Sequence, residues 1–145
     1  MDLFSHGLIS WGICRLLGLP DWMFIFGVLP DIDGFAAIFG LKALEKYHRA
    51  ILHNFLFVII ISVPILFFDY NLFIPAVILT TFHLLLDFLT GKEIYSQKFK
   101  VRVQGPRIFW PFSNKPYSLK LTQNVHWSHF IIAFIFAILV YILKI

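Results

Sequence analysis

The chain has 145 residues, a length suited to one compact unit, and nothing in its composition marks a second, so residues 1–145 read as a single membrane-embedded domain. Apolar residues make up 59% and charged residues 14%, against about 45–50% and about 25% in an ordinary soluble domain, which excludes a water-soluble globule. The formal charge is +4, and the one cysteine, Cys14, excludes both a disulfide framework and a thiolate zinc cluster.

Four apolar stretches mark where lipid would lie: residues 3–19, 51–68, 72–86 and 130–142. The first follows no basic region and ends without a small-residue cleavage motif, so it reads as a retained helix rather than a removable signal peptide. It should run from Leu3 to about Leu17 and break at Gly18-Leu19-Pro20. Asp21 is expected to cap the short apolar segment 22–29. That segment cannot span a bilayer, and it reads as a half-membrane return leg bringing Pro30-Asp31-Ile32-Asp33 back to the starting side, where irregular backbone must be buried in protein or line a wet cavity. Residues 42–49 form a polar helical lead-in to stretch 51–68, whose only polar interruptions are His53, Asn54 and Ser62. Asp69-Tyr70-Asn71 is the turn into stretch 72–86, and the two stretches together suffice for two passes at about 20 residues each.

Between Gly91 and Val125 lie Lys92, Lys98, Lys100, Arg102, Arg107, Lys115 and Lys120 against the single acid Glu93. The positive-inside rule marks that loop as cytoplasmic. A basic surface for nucleic acid or anionic lipid is the alternative, and no nucleic-acid motif accompanies the charges. Alternating runs at 99–103 and 117–121, set off by Gly105-Pro106 and Asn114-Lys115-Pro116, predict a small interfacial β-hairpin. The last helix starts near His126 and leaves Lys144 on the far side. The expected fold is therefore an all-α integral membrane protein of about four to five transmembrane or half-membrane helices, with a small interfacial loop or hairpin before the last.

On this topology the histidines converge at the basic-loop side: His6 near the start of the first helix, His48 and His53 entering the 51–68 helix, His83 leaving the next, His126 and His129 entering the last. Ionisable groups in such helices are costly enough to count as functional by default. His83 and Asp87 are four apart, hence about 6 Å apart on one helical face, and can chelate an ion or simply join two helices by a hydrogen bond. Asp31 and Asp33, one residue apart after a proline, can aim two carboxylates into one pocket or form an exposed turn. His48 and His53 are five apart, so one would ligate while the other supports it. Arg49 beside them suits bidentate contact with phosphate or carboxylate, or anchors the helix head. Imidazole and carboxylate without thiolate suit Zn²⁺, Mn²⁺ or Fe.

These residues resemble a known family, the YdjM-like membrane-bound metal-dependent hydrolases of bacteria and archaea. The resemblance rests on His6-Gly7, Gly27-Val28-Leu29-Pro30-Asp31-Ile32-Asp33, His48-Arg49 with His53, His83-Leu84-Leu85-Leu86-Asp87 and Trp110-Pro111-Phe112, in that order. The chain has Gly34 where the family often has His, and Ala50, Leu52 and Asn54 where it often has Gly, Thr and Ser. The family in turn is similar to the zinc-dependent phospholipases C and single-strand nucleases. That likeness implies one ion on Asp31 or Asp33, His53, His83 and Asp87, with Asp87 bridging to a second ion near His6. It further implies a phosphoesterase acting on a lipid or membrane-associated substrate in the inner membrane, with His48 and Arg49 in catalysis. A metal-ion transporter or sensor, and a non-catalytic scaffold, are the rival readings; transporters usually carry inverted repeats, and none is visible.

Overall fold

A computed structural model describes residues 3–32, 49–90, 94–96, 101–103, 105–119 and 128–143. The first helix, α1, runs Leu3–Leu16. It ends in a Schellman turn: Gly18 adopts a left-handed φ of 65°, the Leu19 N–H donates to the Cys14 carbonyl at 2.9 Å, and the Gly18 N–H donates to that of Arg15 at 3.2 Å. Pro20 then prevents the helix from continuing. The return leg Asp21–Gly27 is a 3-10 helix, followed by another at Leu29–Asp31. Asp21 is not a cap: Pro20 holds the capping position without a side-chain bond, and the Asp21 carboxylate instead lies 3.8 Å from Arg15 in an exposed pair.

The 51–68 stretch becomes helical only at Phe55. Asn54 caps α2 (Phe55–Ser62) by accepting the Phe57 N–H at 2.8 Å, so the preceding residues form a turn rather than a first helical turn. At Arg49 the expected lead-in helix is likewise replaced by a left-handed residue, φ 62°; residues 42–48 lie outside the described residues. Pro64 tightens the end of α2 into the 3-10 segment Val63–Phe67. The Asp69 carboxylate accepts the Asn71 N–H at 2.9 Å and opens the next element, completing the turn read at Asp69-Tyr70-Asn71. The longest helix, α3, is Phe73–Thr90. With its lead-in, Tyr70–Thr90 has 21 residues at mean hydropathy 2.0 and is the one described helix long and apolar enough to cross a membrane. Phe55–Phe67 and His129–Ile142 are apolar but shorter.

Strands β1 (Ile94–Ser96) and β2 (Val101–Val103) pair antiparallel, Tyr95 opposite Arg102. The expected partner of the 99–103 run was 117–121. Closing the shorter local loop costs less chain entropy, and residues near the second run are engaged elsewhere: Tyr117 N–H donates to Pro106 O at 3.0 Å and Leu119 N–H to Phe88 O at 2.9 Å. Helix α4 is Ser128–Ile142.

Polarity is arranged inside out. His6, Asp31, Arg49, His53, Asn54, His83 and Asp87 are buried, whereas Ile59, Ile60, Phe67, Phe68, Ile132 and Ile135 are exposed, as suits a chain whose outer solvent is hydrocarbon. A small apolar core of Cys14, Met23, Phe26, Ala76 and Leu79 ties α1 and the return leg to α3. Its contacts are close. A Cβ on Gly27 would stand 2.6 Å from Ser10 Cβ and nearer still to Ser10 Oγ, and one on Gly12 would stand 3.0 Å from Phe136 Cδ1 on α4.

Candidate metal centre

Above that core the polar side chains meet. Helix α1 supplies His6, the return leg supplies Asp31 at its end, the capped turn before α2 supplies His53, and α3 supplies His83 and Asp87 one turn apart. His53 Nε2 lies 3.2 Å from Asp31 Oδ1 and 3.3 Å from Asp87 Oδ2. His83 Nε2 lies 3.3 Å from His53 Nε2, 3.7 Å from Asp31 Oδ1 and 3.9 Å from Asp87 Oδ2. All four residues are buried, and their ligand atoms lie within 4.8 Å of one another. The group could hold a metal ion.

The spacing fits one. Ligands about 2.0–2.1 Å from a tetrahedral zinc stand about 3.3–3.4 Å from each other, close to most of the separations above. Orientation fits as well. His83 Nδ1 lies 2.7 Å from the Gly27 carbonyl; a carbonyl only accepts, so in the neutral ring Nδ1 carries the proton and Nε2 turns its lone pair to the centre. Once His53 gives up the proton it shares with Asp31, two imidazole nitrogens and two carboxylates make a donor set for Zn²⁺, Mn²⁺ or Fe²⁺ rather than for a thiophilic ion. Burial alone would raise the Asp31 carboxyl, but the hydrogen bond from His53 and the nearby His83 and His6 outweigh it and hold it at about 2. Asp31 is therefore a carboxylate at any working pH.

His6 borders the group. Its ring stacks on His83 with centroids 3.8 Å apart, and its Nε2 lies 3.2 Å from Asp87 Oδ1 and 3.8 Å from Asp31 Oδ2. Asp31 Oδ2 is buried without a hydrogen-bond partner. Arg49, also buried, brings Nε to 3.8 Å from Asp87 Oδ2. Thus His6, Asp31, Arg49, His53, His83 and Asp87 lie together. Asp33, His48 and His126 lie outside the described residues. His129 is on α4 and not in the four-residue group.

Three participants were not readable as such. The Gly27 carbonyl orients His83, Asn54 fixes the turn carrying Arg49 and His53, and the Arg107 N–H donates to the Arg49 carbonyl at 2.8 Å. Backbone donors and acceptors leave no mark in a sequence. Of these, Gly27 alone has a residue type that could have signalled close approach.

Apolar helices around a buried cluster of histidines and aspartates define a membrane protein with a candidate metal centre. A family model described as YdjM inner membrane protein matches residues 1–145, and the chain belongs to that family. Its place is therefore a membrane. No curated protein and no solved structure is significantly similar to it.

Proposed function

We propose that this protein is a metal-dependent hydrolase, a phosphoesterase acting on a lipid or another membrane-associated substrate. The observation that carries the reading is the buried convergence of Asp31, His53, His83 and Asp87. A divalent ion bound there, most simply Zn²⁺, lowers the pKa of water toward ~7 and supplies hydroxide at neutral pH. The chain's own groups do the rest. His53 and His83 present nitrogen and Asp31 and Asp87 oxygen; His6, against both carboxylates, would complete a second ion's site. His48 orients a ligand or moves a proton, and Arg49 holds phosphate. The basic residues of 91–125 favour a cytoplasmic site and would draw anionic headgroups, each worth ~1 kcal/mol near such a surface.

Supporting an enzyme over a transporter, the described ligands come from α1, the return leg, the turn before α2 and α3, with no repeat relating them. The test is elemental analysis of detergent-purified protein beside Asp87→Asn, which keeps the side-chain volume, after dialysis against metal-free buffer. Phosphodiester and phospholipid hydrolysis is assayed in parallel. The proposal expects about one or two equivalents of metal in the wild type, and loss of metal and turnover together in the variant. Turnover retained in the variant with unchanged metal would sink it.

A further inference from the structure

Arg49 is held at some energetic cost. A left-handed φ of 62° is sterically disfavoured for a residue with a side chain, and such strain persists only where surrounding bonds over-determine it. Those bonds are present. The Arg107 N–H donates to the Arg49 carbonyl at 2.8 Å and the Phe55 N–H to the Ile108 carbonyl at 3.1 Å. Asn54 Nδ2 donates to the carbonyls of Ala50 and Ile51. Together they lock the turn so that the guanidinium points inward and stays 7% exposed.

What it finds there is incomplete. Its Nε lies 3.8 Å from Asp87 Oδ2, too far for a hydrogen bond, and neither Nε nor Nη1 has a hydrogen-bond partner. Buried donors left unsatisfied are costly, and a guanidinium carries five in a rigid fork. Asp87 is moreover shared, lying within 3.3 Å of both His6 and His53. An ion drawing on Asp87 would take up the carboxylate charge that, among the described residues, balances Arg49, leaving a cation and an unfilled fork side by side. The fork geometry matches a tetrahedral oxyanion, which it can grip with two parallel hydrogen bonds.

We propose that Arg49 exchanges partners: counter-ion to Asp87 in the metal-free protein, ligand of a phosphate-class oxyanion once the ion is bound, so that metal and phosphate bind cooperatively. This rests on the metal-site reading above and adds to it a coupling between the two ligands. Coupling of this kind is reciprocal.

The experiment is calorimetric titration of inorganic phosphate into the detergent-solubilised full chain, loaded with Zn²⁺ and freed of excess, beside the chelator-stripped protein. Phosphate should bind about 10-fold or more tightly to the loaded protein, and saturating phosphate should tighten Zn²⁺ binding by the same factor. Arg49→Gln should keep Zn²⁺ uptake but lose the coupling, and Arg49→Lys should keep part of it. A parallel arm with short-chain phosphatidic acid separates the sources of the phosphoryl group: tighter binding than phosphate assigns the subsite to a lipid headgroup, equal binding to free phosphate, and either supports the exchange if it needs Zn²⁺ and Arg49. Equal phosphate affinity with and without Zn²⁺, or in Arg49→Gln, overturns this inference and leaves the metal site standing. No Zn²⁺ uptake by the wild type overturns both.

Discussion

Gly27→Ala is the most searching test of the centre, because the glycine touches none of the proposed ligands through a side chain. The added methyl would stand 2.6 Å from Ser10 Cβ, whereas carbon atoms settle at about 3.5–4.0 Å. The return leg and α1 must therefore separate by roughly 1 Å, and overpacking of that size costs about 1–3 kcal/mol. The Gly27 carbonyl moves with its backbone. Its 2.7 Å bond to His83 Nδ1 stretches past the limit of a hydrogen bond, and His83 loses what fixes its tautomer and tilt. Loss of such a supporting bond lowers metal affinity by about 10–100-fold. Competition with a chromophoric chelator reads the affinity, and thermal melting in detergent reads the stability. Adding Ser10→Gly removes the obstructing atoms, and the next neighbour of the new methyl, the Leu79 carbonyl at 3.8 Å, is an ordinary contact. The double variant should regain metal affinity, less a stability loss of about 1 kcal/mol for glycine in α1. Wild-type affinity in Gly27→Ala, or no recovery in the double variant, would refute the argument that this carbonyl orients His83.

Three further outcomes follow from the geometry. Asp87→Ala should destabilise the metal-free protein by about 3–5 kcal/mol, since it strands the buried Arg49 charge; Arg49→Met in the same chain should restore much of the melting temperature. Metal affinity should weaken progressively as the pH is lowered, because protons compete for the imidazole nitrogens that must ligate. Because burial is outweighed by the hydrogen bond from His53, which holds Asp31 below the usual carboxylate range, Asp31 should add no proton to the pH slope of the binding constant near pH 5, which binding curves of wild type and Asp31→Asn at successive pH values check. Asn54→Ala removes the cap of α2 and should cost about 1 kcal/mol, with a lower melting temperature and a loss of metal affinity that an ordinary cap variant would not show, because the same side chain shapes the turn bearing His53.

Much of the centre was legible. His83 and Asp87 declared themselves by a spacing of four on an apolar helix, and His6, Asp31 and His53 by being costly residues at one end of their segments. That logic works because hydrocarbon leaves buried polar groups few places to go. The start of the 51–68 helix was less legible: an apolar run looks helical throughout, and only the hydrogen bonds of Asn54 settle that it starts at Phe55. The 3-10 winding of the return leg was also hidden, since periodicity over a few apolar residues does not distinguish it from an α-turn. Pairing of β2 depended on competition among loop lengths and on where Tyr117 and Leu119 found acceptors, neither of which alternation encodes.

The ligands also stand far apart along the chain: His53 lies 22 residues from Asp31, and His83 lies 30 from His53. An ion at this point would fasten the return leg, the turn before α2 and α3 into closed loops, as a cross-link does, and would restrict the unfolded chain in the same way. Metal supply would then govern not only chemistry but how long the protein survives in its membrane. Protease digestion of membranes with and without a chelator would expose that dependence as faster cleavage of the stripped protein; equal cleavage rates would exclude it.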